Sequence, residues 1–349
     1  MTSLKFGARE IGEDAPCYVI AEAGVNHNGD MDLALRLIDA AAEAGADAVK
    51  FQTFQVREIV SAEARKAAYQ ARNTGQDGGQ MEMLRALELS FPQFEKLAAH
   101  CRDRDIAFMS TAFDAGSLDF VASLDPPALK WPSGEIDNIP FLRKAARLGR
   151  PVILSTGMAG LGEIERALRE LDAGGCPGVV VLHCTSNYPA AAADLNLKAI
   201  PAIRQAFGRQ VGYSDHSLGV AAALAARALG MCVLEKHYTL DRGMEGPDHA
   251  ASLEPGELKR LIEELRFVEA ALGDGVKSPR AAELNTRAVA RRGLRLRRAM
   301  AAGEAVAEAD LAALRPATGI SPAMIDEVVG RRLARDLAEG EALNWADLS

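Results

Sequence analysis

The chain has 349 residues, 48% hydrophobic and 25% charged, enough to bury the core of one large domain and a small one. A net charge of −8 excludes a nucleic-acid sheath while leaving room for a local basic pocket. The five cysteines (Cys17, Cys101, Cys176, Cys184, Cys232) include no CxxC, which argues against a disulfide framework or a thiolate zinc site. No apolar run reaches the ~18 residues of a membrane span, so a reducing cytoplasm, with no membrane partner, is the expected setting.

Short β-rich runs alternate with helical patterns along the chain. In order they are "CYVIAEAG", "DAVKFQTF", "IAFMST", "ALKWPSG", "PVILSTG", "GVVVLHCTS", "QVGYSDH" and "CVLEKHYT". Between them lie amphipathic stretches such as "GEIERALRELDAGG", where Ile164, Leu168 and Leu171 share one helical face. Gly45, Gly149 and Gly174 are read as helix stops. Such alternation predicts a parallel α/β sheet, and eight units fit a (β/α)8 TIM barrel, usually ~250 residues, better than an open sheet. No GxGxxG follows the first strand, against a dinucleotide fold.

Between strands two and three, "QVREIVSAEARKAAYQARNTGQDGGQMEMLRALELS" is too long for one helix and is read as a loop excursion over the barrel top. After Leu272 the texture changes. The expected division is a barrel over 1–275, a linker over 276–288 and a small β-rich domain over 289–349. In that tail two phrases, "AAGEAVAEADL" and "LAEGEALNWADL", make a weak internal repeat.

Reacting groups of a barrel enzyme sit at the C-terminal strand ends. Here those ends offer Glu22, Asn26 and His27; Lys50 and Gln52; Ser110 and Thr111; Lys130, Ser133 and Glu135; Ser155 and Thr156; His183, Thr185 and Ser186; Ser214, Asp215 and His216; and Glu235, Lys236 and His237. Four of the six histidines are thereby expected to converge on one rim. His216 and His237, on adjacent strands, could hold a divalent metal with open positions. Lys50 and Lys130 with Thr111, Ser133, Ser186 and Ser214 would make a cationic, hydroxyl-rich patch for a phosphate or carboxylate.

The phrases "IAEAGVNHNGD", "ADAVKFQTF", "NTGQDGGQMEML", "KWPSGEI", "VILSTGM", "HCTSNYP", "GYSDHS", "EKHYTLDRGMEGPDH" and "LRPATGISP" run in order along nearly the whole length. Through them the chain resembles the sialic acid synthases, a family that includes N-acetylneuraminate, legionaminate and pseudaminate synthases. The resemblance implies a (β/α)8 barrel followed by an antifreeze-like (SAF, β-clip) domain. It also implies condensation of phosphoenolpyruvate with an N-acylated mannose-type sugar and water, releasing phosphate. N-acetylneuraminate synthesis from N-acetylmannosamine is the first expectation, and N,N'-diacetyllegionaminate synthesis from 2,4-diacetamido-2,4,6-trideoxymannose the alternative. His216 and His237 match metal positions, usually for Mn2+ with Mg2+ or Co2+ as alternatives. Lys50, Thr111, Lys130, Ser133 and Ser214 match phosphoenolpyruvate positions, as does one of Ser186 and Asn187. Gln52, Asn73, Tyr188, Asp248 and Arg315 match sugar positions, and Glu22 and Glu235 are the expected catalytic carboxylates. In this family the SAF domain of one subunit covers its partner's barrel, so a domain-swapped homodimer is expected, with Arg315 reaching the partner's sugar. Two positions depart from the pattern: Ala112 stands where proline is usual, and Trp131 replaces a smaller residue. The rivals are a class I aldolase using Lys50, Lys130 or Lys236 as a Schiff base, and a non-catalytic carbohydrate-binding module.

Overall fold

The computed structural model describes residues 4–61, 63, 64, 66, 70, 71, 73 and 79–349. Residues 74–78 of the "NTGQDGG" turn lie outside the described residues. The chain forms two compact units, Met1–Gly273 and Asp274–Ser349.

Strands β1 (Leu4–Phe6) and β2 (Arg9–Ile11) pair as an antiparallel hairpin that the sequence reading did not anticipate. Its turn uses Gly7 at φ +59°, and it sends Leu4, Phe6 and Ile11 into one apolar cluster with Tyr18, Ile20, Met109 and Ile153 of the barrel interior.

The barrel strands follow. They are β3 (Tyr18–Gly24), β4 (Ala48–Thr53), β5 (Ala107–Ala112), β6 (Leu129–Trp131), β7 (Val152–Ser155), β8 (Val179–Cys184), β9 (Gln210–Asp215) and β10 (Val233–His237). All are parallel and close in sequence order, β10 pairing β3, as expected of a (β/α)8 barrel. Residues alternate between two environments along each strand. Val19, Val49, Val181 and Leu234 join the large apolar layer beneath the surrounding helices, whereas Ile20, Ala48, Met109, Val180 and Val233 fill the interior. Two residues further along, the interior turns polar: Ile20 gives way to Glu22, Ala48 to Lys50, Met109 to Thr111 and Val233 to Glu235. That change builds the site.

Helix stops behave largely as read. Gly45 caps Met31–Ala44 at φ +83°, and Gly149 has φ +66°. Gly174 departs from the left-handed stop: it caps Leu161–Ala173 at φ −81°, and Gly175 takes the positive φ of 84°. The long excursion contributes short helices at Val56–Ile59 and Gln80–Leu87, anchored by Val56 and Leu87 packing on Val25 and Phe54.

In the second unit, residues 276–288 include the start of a helix, Leu284–Ala290, which leads to the antiparallel pair β11 (Gly293–Leu296) and β12 (Leu311–Leu314). The weak repeat is structural. Arg298 Nε donates to Asp310 Oδ1 at 2.8 Å and Nη1 to Glu304 Oε2 at 3.0 Å. At the same spacing along the chain, Arg335 Nε donates to Asp347 Oδ1 at 2.8 Å and Nη2 to Glu341 Oε1 at 2.9 Å. Met300 and Leu337, themselves equivalent, exchange backbone N–H···O bonds of 3.0 and 2.9 Å.

Candidate active site

The polar strand ends enclose a cavity of about 560 Å³ lined by Glu22, Lys50, Gln52, Thr111, Lys130, Ser133, Ser186, Tyr188, Ser214, His216, Glu235, His237 and Asp248, among others. Register brings these residues together. Glu22 faces Lys50 on one side and His237 on the other, Thr111 faces Lys130, and Glu235 faces Ser214. A register shift between Glu22 and Gly24 marks an irregularity in β3, where Gly24 adopts φ +54°. A Cβ there would stand 3.3 Å from Glu22 Oε1, so glycine leaves the carboxylate its place.

On the floor, two lysines and two carboxylates interlock. Lys50 Nζ lies 2.7 Å from Glu22 Oε2, 2.8 Å from Thr111 Oγ1 and 3.7 Å from Glu235 Oε2, and Lys130 Nζ lies 3.4 Å from Glu235 Oε1. The two carboxylates are driven apart electrostatically. Burial pushes Glu22 up to about 7 against the pull of Lys50. Burial would raise Glu235 as well, but Lys130 and Lys50 outweigh it and hold that carboxyl below the usual range. The two carboxyls are thus shifted in opposite directions, the kind of separation an acid/base pair uses. Burial lowers Lys130. Lys50 is raised because Glu22 and Glu235 overcome its desolvation.

The rings of His216 and His237 lie 5.6 Å apart. Burial holds His216 down to about 4 and His237 well below its ordinary value, so both are neutral imidazoles at pH 7. His216 Nδ1 is 2.7 Å from the Thr185 carbonyl and must donate to it, which leaves Nε2 with its lone pair. The Ser214 hydroxyl, 3.2 Å from that Nε2, donates instead to Glu235 Oε1 at 3.0 Å. His237 Nδ1 is buried without a hydrogen-bond partner among the described residues. Two buried imidazoles with uncommitted nitrogens fit a divalent cation. No group of three or more His, Cys, Asp or Glu able to hold a metal occurs among the described residues. The protein thus offers two ligands, leaving the other positions to water or substrate.

Opposite the histidines is a hydroxyl-lined corner. Ser133 Oγ accepts from Gly157 N at 2.8 Å and lies 3.3 Å from Cys184 Sγ. A Cβ on Gly157 would meet Ser186 Oγ at 2.1 Å and Ser133 Oγ at 3.0 Å, so a larger residue would have to displace these hydroxyls. Ser186 lines the cavity, whereas Asn187 is exposed and does not. The Tyr188 ring lies tilted by 30° against that of His216, with centroids 4.0 Å apart.

Gln52 Nε2 donates to Glu22 Oε1 at 3.4 Å, and Asn73 Nδ2 to the Pro247 carbonyl at 2.6 Å. The loop that brings Asp248 to the cavity is tied to the end of β3. Asn26 Nδ2 donates to the Tyr238 carbonyl (2.8 Å) and Ser252 Oγ (2.9 Å), and His249 bridges Thr239 Oγ1 (2.7 Å) and Asn28 Oδ1 (3.1 Å). Burial pushes Asp248 up to about 6.

Two of the four histidines expected on the rim lie elsewhere. His183 does not line the cavity; it stacks on Tyr213, and its Nε2 is 2.7 Å from the Leu195 carbonyl. His27 is buried beside Phe51, outside the cavity lining. Lys236 is also absent from the lining and is paired with Asp215. Arg315 belongs to the second unit, where it is exposed. Sequence reasoning missed an apolar wall of the cavity, formed by Val25, Phe54, Ile59, Met83, Leu84 and Phe113; the signal was the "MEML" of the excursion.

The NeuB family signature matches residues 37–277 and the SAF domain signature residues 291–349. The chain belongs to the NeuB family. The N,N'-diacetyllegionaminic acid synthase of Legionella pneumophila is 46% identical over 97% of this chain and 96% of its own length. That of Campylobacter jejuni is 46% identical over 93% and 98%. Among solved structures, the N-acetylneuraminic acid (sialic acid) synthetase of Leptospira borgpetersenii superposes with a TM-score of 0.72 at 36% identity, covering 81% of this chain and 95% of that one. For this NeuB family member, the barrel and SAF architecture expected from sequence is the one observed.

Proposed function

We propose that the chain condenses phosphoenolpyruvate with 2,4-diacetamido-2,4,6-trideoxymannose and water, giving N,N'-diacetyllegionaminate and phosphate. Sequence reasoning put N-acetylmannosamine first and this trideoxy sugar second. Identity of 46% to two legionaminic acid synthases, against 36% to the solved sialic acid synthetase, favours the second. The observation that carries the reaction class is the pair of buried imidazoles, His216 and His237, lining one cavity with Lys50, Lys130 and Glu22.

Lys50 and Lys130, with Thr111, Ser133, Ser186 and Ser214, supply charge and hydroxyl donors for the carboxylate and phosphate of phosphoenolpyruvate. Gln52, Asn73, Tyr188 and Asp248 orient the sugar so that its aldehyde carbon meets C3 of the enolpyruvyl group. A divalent cation on His216 and His237, Mn2+ with Mg2+ or Co2+ as alternatives, would supply Lewis-acid polarisation of the aldehyde. The new C–C bond takes the enol π electrons, leaving positive charge at C2, and the aldehyde oxygen takes up a proton. Water adds at C2 and gives up a proton, and the C2–O bond then breaks with its electrons leaving on phosphate. Glu22, poised near neutrality, passes the proton at the reacting end, while the anionic Glu235 steadies Lys50 and Lys130.

In a functional homodimer the partner's SAF domain would complete the sugar site through Arg315. The test is phosphate release from phosphoenolpyruvate with each sugar in turn. Release that requires the trideoxy sugar supports this reading, and no release with any N-acylated mannose overturns it. A borohydride-trapped pyruvate adduct would favour the Schiff-base rival instead.

A further inference from the structure

On β4 and its continuation, Lys50, Gln52 and Phe54 follow one another at alternate positions, and all three line the cavity. Read from the floor toward the mouth, they run cation, amide, aromatic. Phe54 is buried and meets Phe113 edge-on at 6.4 Å. Above them, Ile59, Met83 and Leu84 are only half-buried, although they pack against the apolar cluster of Val25, Val56 and Leu87. They therefore keep apolar surface toward the cavity. Among the described residues, this side of the lining also includes the amides of Gln70 and Gln80.

Resting on the condensing reading above, we infer that this wall selects the acceptor. The distal end of the sugar, away from the aldehyde, lies against Phe54, Ile59, Met83, Leu84 and Phe113. It must present methyl groups there, from a 6-deoxy carbon and an acylamino group at C4, where N-acetylmannosamine would present hydroxyls. Hydroxyls set directly against these apolar side chains would surrender water without recovering hydrogen bonds there. A methyl gains contact there. One methyl-sized group in an apolar pocket discriminates by about 10- to 200-fold. Ile59, Met83 and Leu84 come from the long excursion, so the element that makes the β4–β5 connection unusual also sets substrate choice.

The test measures kcat/KM, by phosphate release, for three acceptors: N-acetylmannosamine, its 6-deoxy analogue and 2,4-diacetamido-2,4,6-trideoxymannose. The wild-type protein is compared with Met83→Gln and Leu84→Asn, near-isosteric changes at half-buried positions. The expected wild-type order rises along the series, with about tenfold or more between its ends. Each variant should lower the ratio of trideoxy sugar to N-acetylmannosamine about tenfold. A ratio unmoved in both variants, a parallel loss for all acceptors, or a wild-type preference for N-acetylmannosamine overturns the wall while leaving the condensing reaction in place. Phosphate release with none of the three overturns both.

Discussion

Lys236 Nζ lies 2.8 Å from Asp215 Oδ2, with both side chains wholly buried. Each residue directly precedes one of the cavity histidines. Asp215 Oδ1 also accepts from Ser217 N and Oγ, and Lys236 donates to the Ser217 carbonyl. The pair thus locks β9 to β10 behind the imidazoles. Breaking a buried pair by removing one partner leaves an uncompensated charge, so Lys236→Met should cost about 3–5 kcal/mol in denaturant unfolding. Asp215→Asn should also weaken Mn2+ binding to metal-free protein by about 10–100-fold in calorimetry. A loss of under about 1 kcal/mol would mean that the pair is solvated in solution.

Replacing His216 or His237 by Ala should lower turnover by about three orders of magnitude, several kcal/mol of barrier, with an unchanged circular dichroism spectrum. Chelation should abolish activity and Mn2+ restore it. Full turnover by protein verified as metal-free would remove Lewis-acid assistance from the reaction.

Glu22→Gln keeps size and loses the exchangeable proton. Calorimetric affinity for phosphoenolpyruvate should stay within a few-fold, while kcat falls about 10²–10⁴-fold. Unaltered kcat would reduce Glu22 to the structural partner of Lys50.

Asp248 links function to stability through pH. Burial raises its folded pKa to about 6 from 3.8. Between those values the folded protein holds a proton that the unfolded chain has released, so stability falls as pH rises from about 4 to about 6 and the penalty is complete above that, at most about 3 kcal/mol. Asp248→Asn should therefore melt higher than wild type at pH 7.5, with an advantage that shrinks toward pH 4. A pH-independent difference in Tm would refute the assignment.

If Arg315 serves a partner's barrel, Arg315→Ala and Glu22→Gln should each be nearly inactive alone. Co-expressed, they should recover about a quarter of wild-type activity, because half of randomly paired dimers carry one intact site of two. Verified heterodimers with no activity would assign the arginine to its own barrel.

The barrel was legible because eight β-rich runs and their helices recur in order, and the strand-end chemistry was legible because polar residues end apolar runs. Which side of a strand each residue takes was less so. In "VVVLHC" every position is buried or half-buried, so no polar alternation reveals the phase. Phase sends Cys184 into the cavity and keeps His183 out of its lining. The hairpin of Leu4–Phe6 with Arg9–Ile11 was hidden for another reason: strands this short carry almost no periodic signal. The apolar wall depends on which face of Gln80–Leu87 meets the barrel, a tertiary fact.

The doubled arginine brackets of the tail have a consequence for its symmetry. Equivalent residues Met300 and Leu337 bond to each other, so the two halves meet across a local pseudo-two-fold axis rather than lying in file. Joining the two chains of a small symmetric dimer end to end would produce this geometry. Within one chain, two such halves need not be identical. At the position where one keeps Glu308, the other carries Trp345, with the Arg331 guanidinium 5.7 Å from its ring. Such positions mark where the two halves differ while the ion pairs that bracket each are the same.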